Sequence, residues 1–358
     1  MGRTQTVTLA QIAAEFKLSK TAISRALRDM PDIGVETRRK VQAYAKDKEY
    51  VVNWAARSLV TNRSGLIGIG MGSFTNPFFQ EVTYALVRQI KARGFSTVMI
   101  DIEPLLSDTA GLASLQAKFV DGLILLEGWY NARLAAKDVL KLDAELAPTI
   151  YRGNLPSEEV DQVVVDWYDA AFSLTNHLVD LGHQHIAVLR GIGGGGPVYA
   201  DDVSGKLQGT IDALRQRGLG LKEEMVRYLP TTLDNACQVT ASLLTQSPRP
   251  TAIVCHTDYL AIGAMRAVIE RGFSVPDDVS IVGFNDIEVG KYLPTSLTTI
   301  AHDRDLLAEE LVERLISRIE GRLAEQVKTN ALHQILIRES SGPPPGRPNP
   351  PNLSAHPL

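Results

Sequence analysis

Residues 8–28 read TLAQIAAEFKLSKTAISRALR. Leu9, Ile12, Ala13 and Phe16 recur at the spacing that brings side chains onto one helical face. Thr8 precedes them as an N-cap, and Gln11 three residues on completes a capping box. A short turn, Lys17-Leu18, leads to Ser19, a second N-cap. The next helix, Lys20 to Arg28, turns Ala22, Ile23, Ala26 and Leu27 inward and shows Lys20, Thr21, Ser24, Arg25 and Arg28 outward. Two short helices joined by so brief a turn form a helix-turn-helix, whose second helix enters the DNA major groove by its N-terminal end. A third helix, about Val35 to Lys48, would close a small core through Val41, Tyr44 and Ala45.

Working outward, charge separates this head from the rest. Residues 1–63 hold twelve Lys/Arg against six Asp/Glu, a net +6, so the remainder carries −10 of the chain's −4. A charge run alone is more often the solvated face of a helical bundle. Here the basic residues sit on the face the motif needs, which favours a polyanion-binding module joined to an acidic body. Two cysteines, Cys237 and Cys255, are too few for a disulfide framework and fit a reducing compartment. The first residues show no apolar signal segment and no run approaches a membrane span, so a cytoplasmic location is expected.

From Leu66 the pattern changes to short apolar runs alternating with helical stretches. Strands are expected at Leu66–Met71, Thr97–Asp101, Gly122–Leu126, Thr149–Arg152, Gln162–Val165, Ile186–Arg190, Ala252–Cys255 and Ser280–Phe284. Helices fall between them, as at Pro77–Arg93, Tyr168–Leu181, Val203–Arg217, Leu260–Arg271 and Leu306–Glu320. Glycines at 94, 182 and 272 end three of these. The alternation reads as α/β with parallel sheets, and its length calls for two sheets. Residues 341–358 hold seven prolines and no apolar period, and are expected to be disordered.

Residues 7–60 resemble the headpiece of the lactose/galactose-repressor (LacI/GalR) family of transcriptional regulators. The likeness continues through Thr75-Asn76-Pro77-Phe78-Phe79, Val120-Asp121-Gly122-Leu123-Ile124-Leu125 and Leu181-Gly182-His183. It extends to Val275-Pro276-Asp277-Asp278-Val279, Gly283-Phe284-Asn285-Asp286 and Leu297-Thr298-Thr299, covering about residues 7–340. It implies a headpiece at 1–50, a hinge helix and linker at 51–63, and a periplasmic-binding-protein-like core at 64–340 made of two interleaved subdomains joined by three crossings.

The resemblance further implies that Lys20, Thr21 and Arg25 read bases, with Arg25 suited to guanine. Thr8, Ser19, Ser24 and Asn53 would contact phosphates. Asn53 to Leu59, with Ala56 facing the DNA, matches the family's hinge helix, and Leu59 its minor-groove wedge. Two departures stand out: Lys17 replaces a turn glycine and Val52 a proline before the hinge.

In the core the family holds a small-molecule effector between its subdomains, at the carboxyl ends of strands. The candidates there are Phe74, Asn76, Phe78 and Phe79 after the first strand, Trp129 after the third, and Asp166 and Trp167 after the fifth. Single aromatic residues are more often core than ligand platform; their shared location brings the two readings level. Lys206 stands where the family has a clamp arginine, Thr257 where it has asparagine, and Asn285 where it has aspartate. A sugar or sugar derivative remains the expected effector class, bound differently from the usual pose.

The run Arg190-Gly191-Ile192-Gly193-Gly194-Gly195-Gly196 matches G-x-G-x-x-G, but Pro197-Val198-Tyr199 delays the helix that a dinucleotide fingerprint needs. A glycine-rich nest for a sugar phosphate is its minority reading. No G-x-S-x-G, H-E-x-x-H or C-x-x-C occurs, and His183 reads as a structural loop residue. An enzyme using the glycine loop and a solute-binding protein are the competing classes. The expected protein is a homodimeric, effector-controlled regulator of a near-palindromic operator, with no cofactor, metal or membrane partner.

Overall fold

The computed structural model describes residues 7–27, 29–48, 50, 63–71, 76–101, 120–126, 136–145, 147–155, 157–192, 205–323 and 328–347. The chain divides into two compact units, Met1–Ser64 and Gly65–Leu358.

In the first unit, α1 (Leu9–Glu15), α2 (Lys20–Leu27) and α3 (Val35–Asp47) enclose Ile12, Ala13, Ile23, Ala26, Val41 and Ala45. The capping box forms: Gln11 N donates to Thr8 Oγ1 at 3.3 Å and Thr8 N to Gln11 Oε1 at 2.8 Å. Lys17 adopts the left-handed backbone (φ 51°) and Leu18 N reaches back to Ala13 O at 3.0 Å, the Schellman closure that glycine usually makes. The lysine therefore keeps the turn while bearing the steric cost of a Cβ there. Arg38 then ties α3 to the end of α2, donating to Asp29 O at 2.8 Å and to its carboxylate at 3.0 Å.

The second unit holds two six-stranded sheets. Its elements are β1 (Leu66–Met71), α4 (Pro77–Ala92), β2 (Ser96–Asp101), β3 (Gly122–Leu126), α5 (Ala136–Glu145), β4 (Thr149–Arg152), β5 (Gln162–Val165), α6 (Trp167–Leu181), β6 (Ile186–Ile192) and α7 (Lys206–Gln216). There follow β7 (Val226–Pro230), α8 (Leu233–Leu243), β8 (Ala252–Cys255), α9 (Asp258–Glu270), β9 (Ser280–Phe284), β10 (Thr298–Ala301), α10 (Arg304–Ile319), β11 (Lys328–Ala331) and β12 (Gln334–Leu336). Strand order is β11-β5-β4-β3-β1-β2 in one sheet and β12-β10-β9-β8-β6-β7 in the other. Every pairing is parallel except β10 with β12. Strands β3, β8 and β9 are buried along their whole length, which is why they read as unbroken apolar runs.

The chain crosses between the sheets after β5, after β10 and between β11 and β12. Helix α10 returns to the first half, where Leu307, Leu311 and Leu315 pack with Ile67, Leu86 and Ile90. Each strand order reverses direction once, between β1 and β3 and between β6 and β8. Those reversals open the crevice at the carboxyl ends of both sheets.

Residues 341–347, assigned to a disordered tail by composition, are partly built into the second half. Ser341 is buried and shares a 2.8 Å hydrogen bond with Thr298, and Gly342 N donates to Ser280 Oγ at 3.0 Å. Ser340 O accepts from Ile281 N at 2.8 Å, so the segment satisfies the N-terminal end of β9 before the prolines begin. Composition could not show this, because the binding partners lie 43 to 62 residues away in the chain. His183, read as structural, is 1% exposed and bonds Thr251, Ser280 and Gly342.

Candidate functional site

Two surfaces carry the candidate chemistry. On α2, Ile23 and Ala26 are buried while Lys20, Thr21 and Arg25 are exposed; Ser24 is half-buried. Ser19 Oγ accepts from Ala22 N at 3.1 Å and starts the helix. Arg25 Nε lies 3.0 Å from Asp32 Oδ2 on the loop that follows. That hold uses one edge of the guanidinium and leaves the terminal nitrogens for an outside acceptor. Asn53, Ala56 and Leu59 lie outside the described residues, as do Phe74 and Trp129 in the core.

The crevice of the second unit is built from strand ends. Arg152 closes β4, Trp167 opens α6, Lys206 opens α7, His256 follows β8, Phe284 closes β9 and His302 follows β10. Aromatic rings and cations alternate across it. Arg152 Cζ lies 5.1 Å from the Phe78 ring centre and 5.6 Å from that of Trp167. Lys206 Nζ lies 4.1 Å from the Trp167 centre and 4.7 Å from that of Phe284. The ammonium also donates to His256 O at 3.0 Å. His302 meets Phe78 and Trp167 edge-on at 5.4 and 5.8 Å, and His256 meets Phe284 at 6.1 Å. The series runs from the first half to the second and includes a residue at two of the three crossings, Trp167 and His302.

Electrostatics follow from this packing. Burial, and then the charges of Arg152, Arg304 and Lys206, hold the His302 imidazole well below its ordinary pKa. Burial, then Lys206 and Arg190, does the same to His256. Both rings are therefore neutral at pH 7. His256 Nε2 and both ring nitrogens of His302 have no hydrogen-bond partner among the described residues.

The residues expected from sequence divide into three groups. Trp167 and Lys206 stand in the crevice, with Phe78 beside them. Trp167 and Phe78 are 4% and 2% exposed with cations over their rings, so neither offers the open face expected of a stacking platform. Phe79 is buried in the hydrophobic core of the first half. A second group caps helices: Asn76 accepts from Phe78 N at 3.1 Å, Asp166 from Asp169 N at 3.0 Å and Thr257 from Leu260 N at 3.2 Å. A short polar residue between a strand and a helix has this use before any other. Asn285, the third case, is 5% exposed at φ 108°, and its carbonyl accepts from Arg304 Nη2 at 2.8 Å.

The acids beside them are structural. Asp258, 1% exposed, accepts from Thr299 Oγ1 at 2.6 Å and Ile287 N at 2.9 Å; burial raises its pKa to about 7. Asp286 is held by Arg338 at 2.6 Å. Arg152, His256, Phe284 and His302 were missed. The first three stand at or just after expected strands, so the strand-end rule applied evenly would have found them. His302 follows β10, which the apolar pattern did not reveal. Among the described residues no three His, Cys, Asp or Glu side chains are grouped to hold a metal, and no helix is long and apolar enough to cross a membrane.

Residues 175–341 match the periplasmic binding protein-like domain family. Over 352 residues the chain is 28% identical to the HTH-type transcriptional regulator CelR of Thermobifida fusca, covering 95% of this chain and 100% of that one. A structure of a CelR–cellobiose complex superposes with a TM-score of 0.67 at 25% identity, over 94% of this chain and all of the other. The Lac repressor dimer bound to operator and the anti-inducer ONPF gives a TM-score of 0.79 at 25% identity, again over 94% and 100%. This likeness runs through headpiece and core together. Along nearly its whole length the chain resembles the regulators of the LacI/GalR family. As in that family, an N-terminal helix-turn-helix precedes a two-sheet core, and these relatives are transcriptional regulators, not enzymes. The glycine run that could have suggested an enzyme reaches residues 193–196, outside the described residues.

Proposed function

We propose that this LacI/GalR-like chain is a cytoplasmic, homodimeric repressor of a near-palindromic operator, released or recruited by a small effector bound between the two halves of its core. The carrying observation is α2, which buries Ile23 and Ala26 and presents Lys20, Thr21 and Arg25 together. Lys20, Thr21 and Arg25 read base edges, while Thr8, Ser19, Ser24 and Asn53 hold phosphates. Ala56 and Leu59 belong to the hinge at 51–63, with Leu59 as wedge. A C2 dimer imposes matching symmetry on its site. Residues 64–340 bind the effector, and cleft chemistry drawn from both halves lets a ligand favour one arrangement of them over another. A sugar or sugar derivative is the class to which the CelR–cellobiose relative points.

Selection of bound sequences from a random duplex library by the full chain tests this. The expected product is an inverted repeat whose affinity changes when a cleft ligand is added. A direct repeat, or no enriched sequence, would overturn the dimer-on-palindrome reading.

A further inference from the structure

Carbohydrate sites commonly offer an open aromatic face and carboxylates that accept from hydroxyls. The described part of this cleft offers neither. Cations lie over the rings: Arg152 over Phe78 and Trp167, and Lys206 at 4.1 Å from Trp167 and 4.7 Å from Phe284. The carboxylates nearby are engaged in holding the fold. Asp258 accepts from Thr299 and Ile287, Asp286 from Arg338, Glu81 from Arg304, and Asp166 from its own helix.

Two imidazoles complete the wall. His256 and His302 are each 5% exposed, and three of their four ring nitrogens have no hydrogen-bond partner among the described residues. Buried polar atoms in that state await a ligand or water. An aromatic face steadies a cation from one side, and the dry surroundings strengthen its pull on a negative charge. The chemistry of Lys206 fits the same picture. A planar fork suits paired hydroxyls, whereas an ammonium is a compact charge suited to a phosphate or carboxylate oxygen.

We infer that the effector is anionic, a sugar-like molecule bearing a phosphate or carboxylate, with Lys206 and Arg152 facing the negative group and His256 and His302 hydrogen-bonding to it. This rests on the reading of the cleft as the effector site. Neutrality of both rings agrees with it, since each can donate one N–H and gains basicity when an anion arrives.

The test is thermal unfolding of the full chain at constant ionic strength with D-glucose, D-glucose 6-phosphate and D-glucuronate, the corresponding galactose set, and inorganic phosphate. The expected result is a midpoint several degrees higher with a phosphorylated or carboxylated member than with its neutral parent. Which of the two raises it separates a phosphate ester from a sugar acid. The rise should vanish in Lys206→Met and persist in the exposed control Lys222→Met; His302→Leu serves if Lys206→Met does not fold. Equal shifts from neutral parents, persistence of the rise in Lys206→Met, or no shift with any anion would overturn the anionic assignment. A neutral sugar that shifts the midpoint and alters operator affinity would leave the effector site standing and remove only its charge preference. Failure of every compound in both assays would remove both.

Discussion

The headpiece and the cleft assemble their polar groups in opposite ways. On α2 the outward residues Lys20, Thr21 and Arg25 lie within two helical turns, and local sequence spacing alone places them together. In the cleft Arg152, Trp167, His256, Phe284 and His302 come from five strand ends and Lys206 from the start of α7, spread over 150 residues of chain. The first arrangement has to stay exposed to make the DNA contact proposed for it. The second depends on burial, which neutralises its imidazoles and sets its cations against aromatic rings. A helix face is thus a local property, whereas a cleft of this kind exists only when both sheets have formed.

Acid should separate the two regions most strongly. Burial brings His183 from 6.5 to about 4. Unfolded, this imidazole takes a proton near pH 6.5; folded, it does so only near pH 4. Between those values the unfolded chain binds more protons, so stability is full above pH 6.5 and falls as the pH drops towards 4. The loss from His183 alone reaches about 3 kcal/mol, and His256 and His302 act in the same direction. Residues 1–63 contain no histidine. Melting at pH 7.5 and pH 5, followed separately for headpiece and core, should show the core midpoint falling well ahead of the headpiece. Equal falls would mean that the buried histidines do not set the difference.

Arg25→Ala should cost about 1–3 kcal/mol on the selected operator and relax base preference at one position in each half-site. Asp32→Asn, which loosens the 3.0 Å hold on Arg25 Nε, should cost less and leave the preferred base unchanged. Binding titrations on operator and on random duplex decide this. A matching loss on random DNA would reduce Arg25 to a phosphate contact.

The smallest expected effect sharpens the local side of the comparison. Lys17→Gly relieves the left-handed backbone of the α1–α2 turn and should raise headpiece stability by about 0.5–1 kcal/mol. Thermal melting of the headpiece transition reads it directly, and an unchanged midpoint would show that the lysine bears no net strain.

Legibility follows the same division. The capping box at Thr8, the cap at Ser19, the inward faces of the three headpiece helices and the fully buried strands β3, β8 and β9 were all readable, because each depends on neighbours in the chain. Strands β7, β10, β11 and β12 and helices α5 and α8 were not picked out. β11 (Lys-Thr-Asn-Ala) has no apolar run and becomes a strand by pairing with β5, more than 160 residues earlier. In the cleft, Asn76 and Asp166 read as ligand contacts because of their position after strands, and Thr257 because of the family resemblance. The same position is where a helix needs an N-cap, and one sequence signal serves both uses.

By itself the sequence determined the charged helix-turn-helix, the α/β alternation and the strand ends at which a ligand site must lie, since these rest on periodicity and on chain direction. Only the tertiary structure decided that Phe78 and Trp167 carry cations instead of an open face, that His256 and His302 are neutral with three of their four ring nitrogens unpartnered among the described residues, and that residues 340–342 are stitched to β9. Those properties arise from desolvation and from contacts between distant segments, and both come into being only when the two sheets pack.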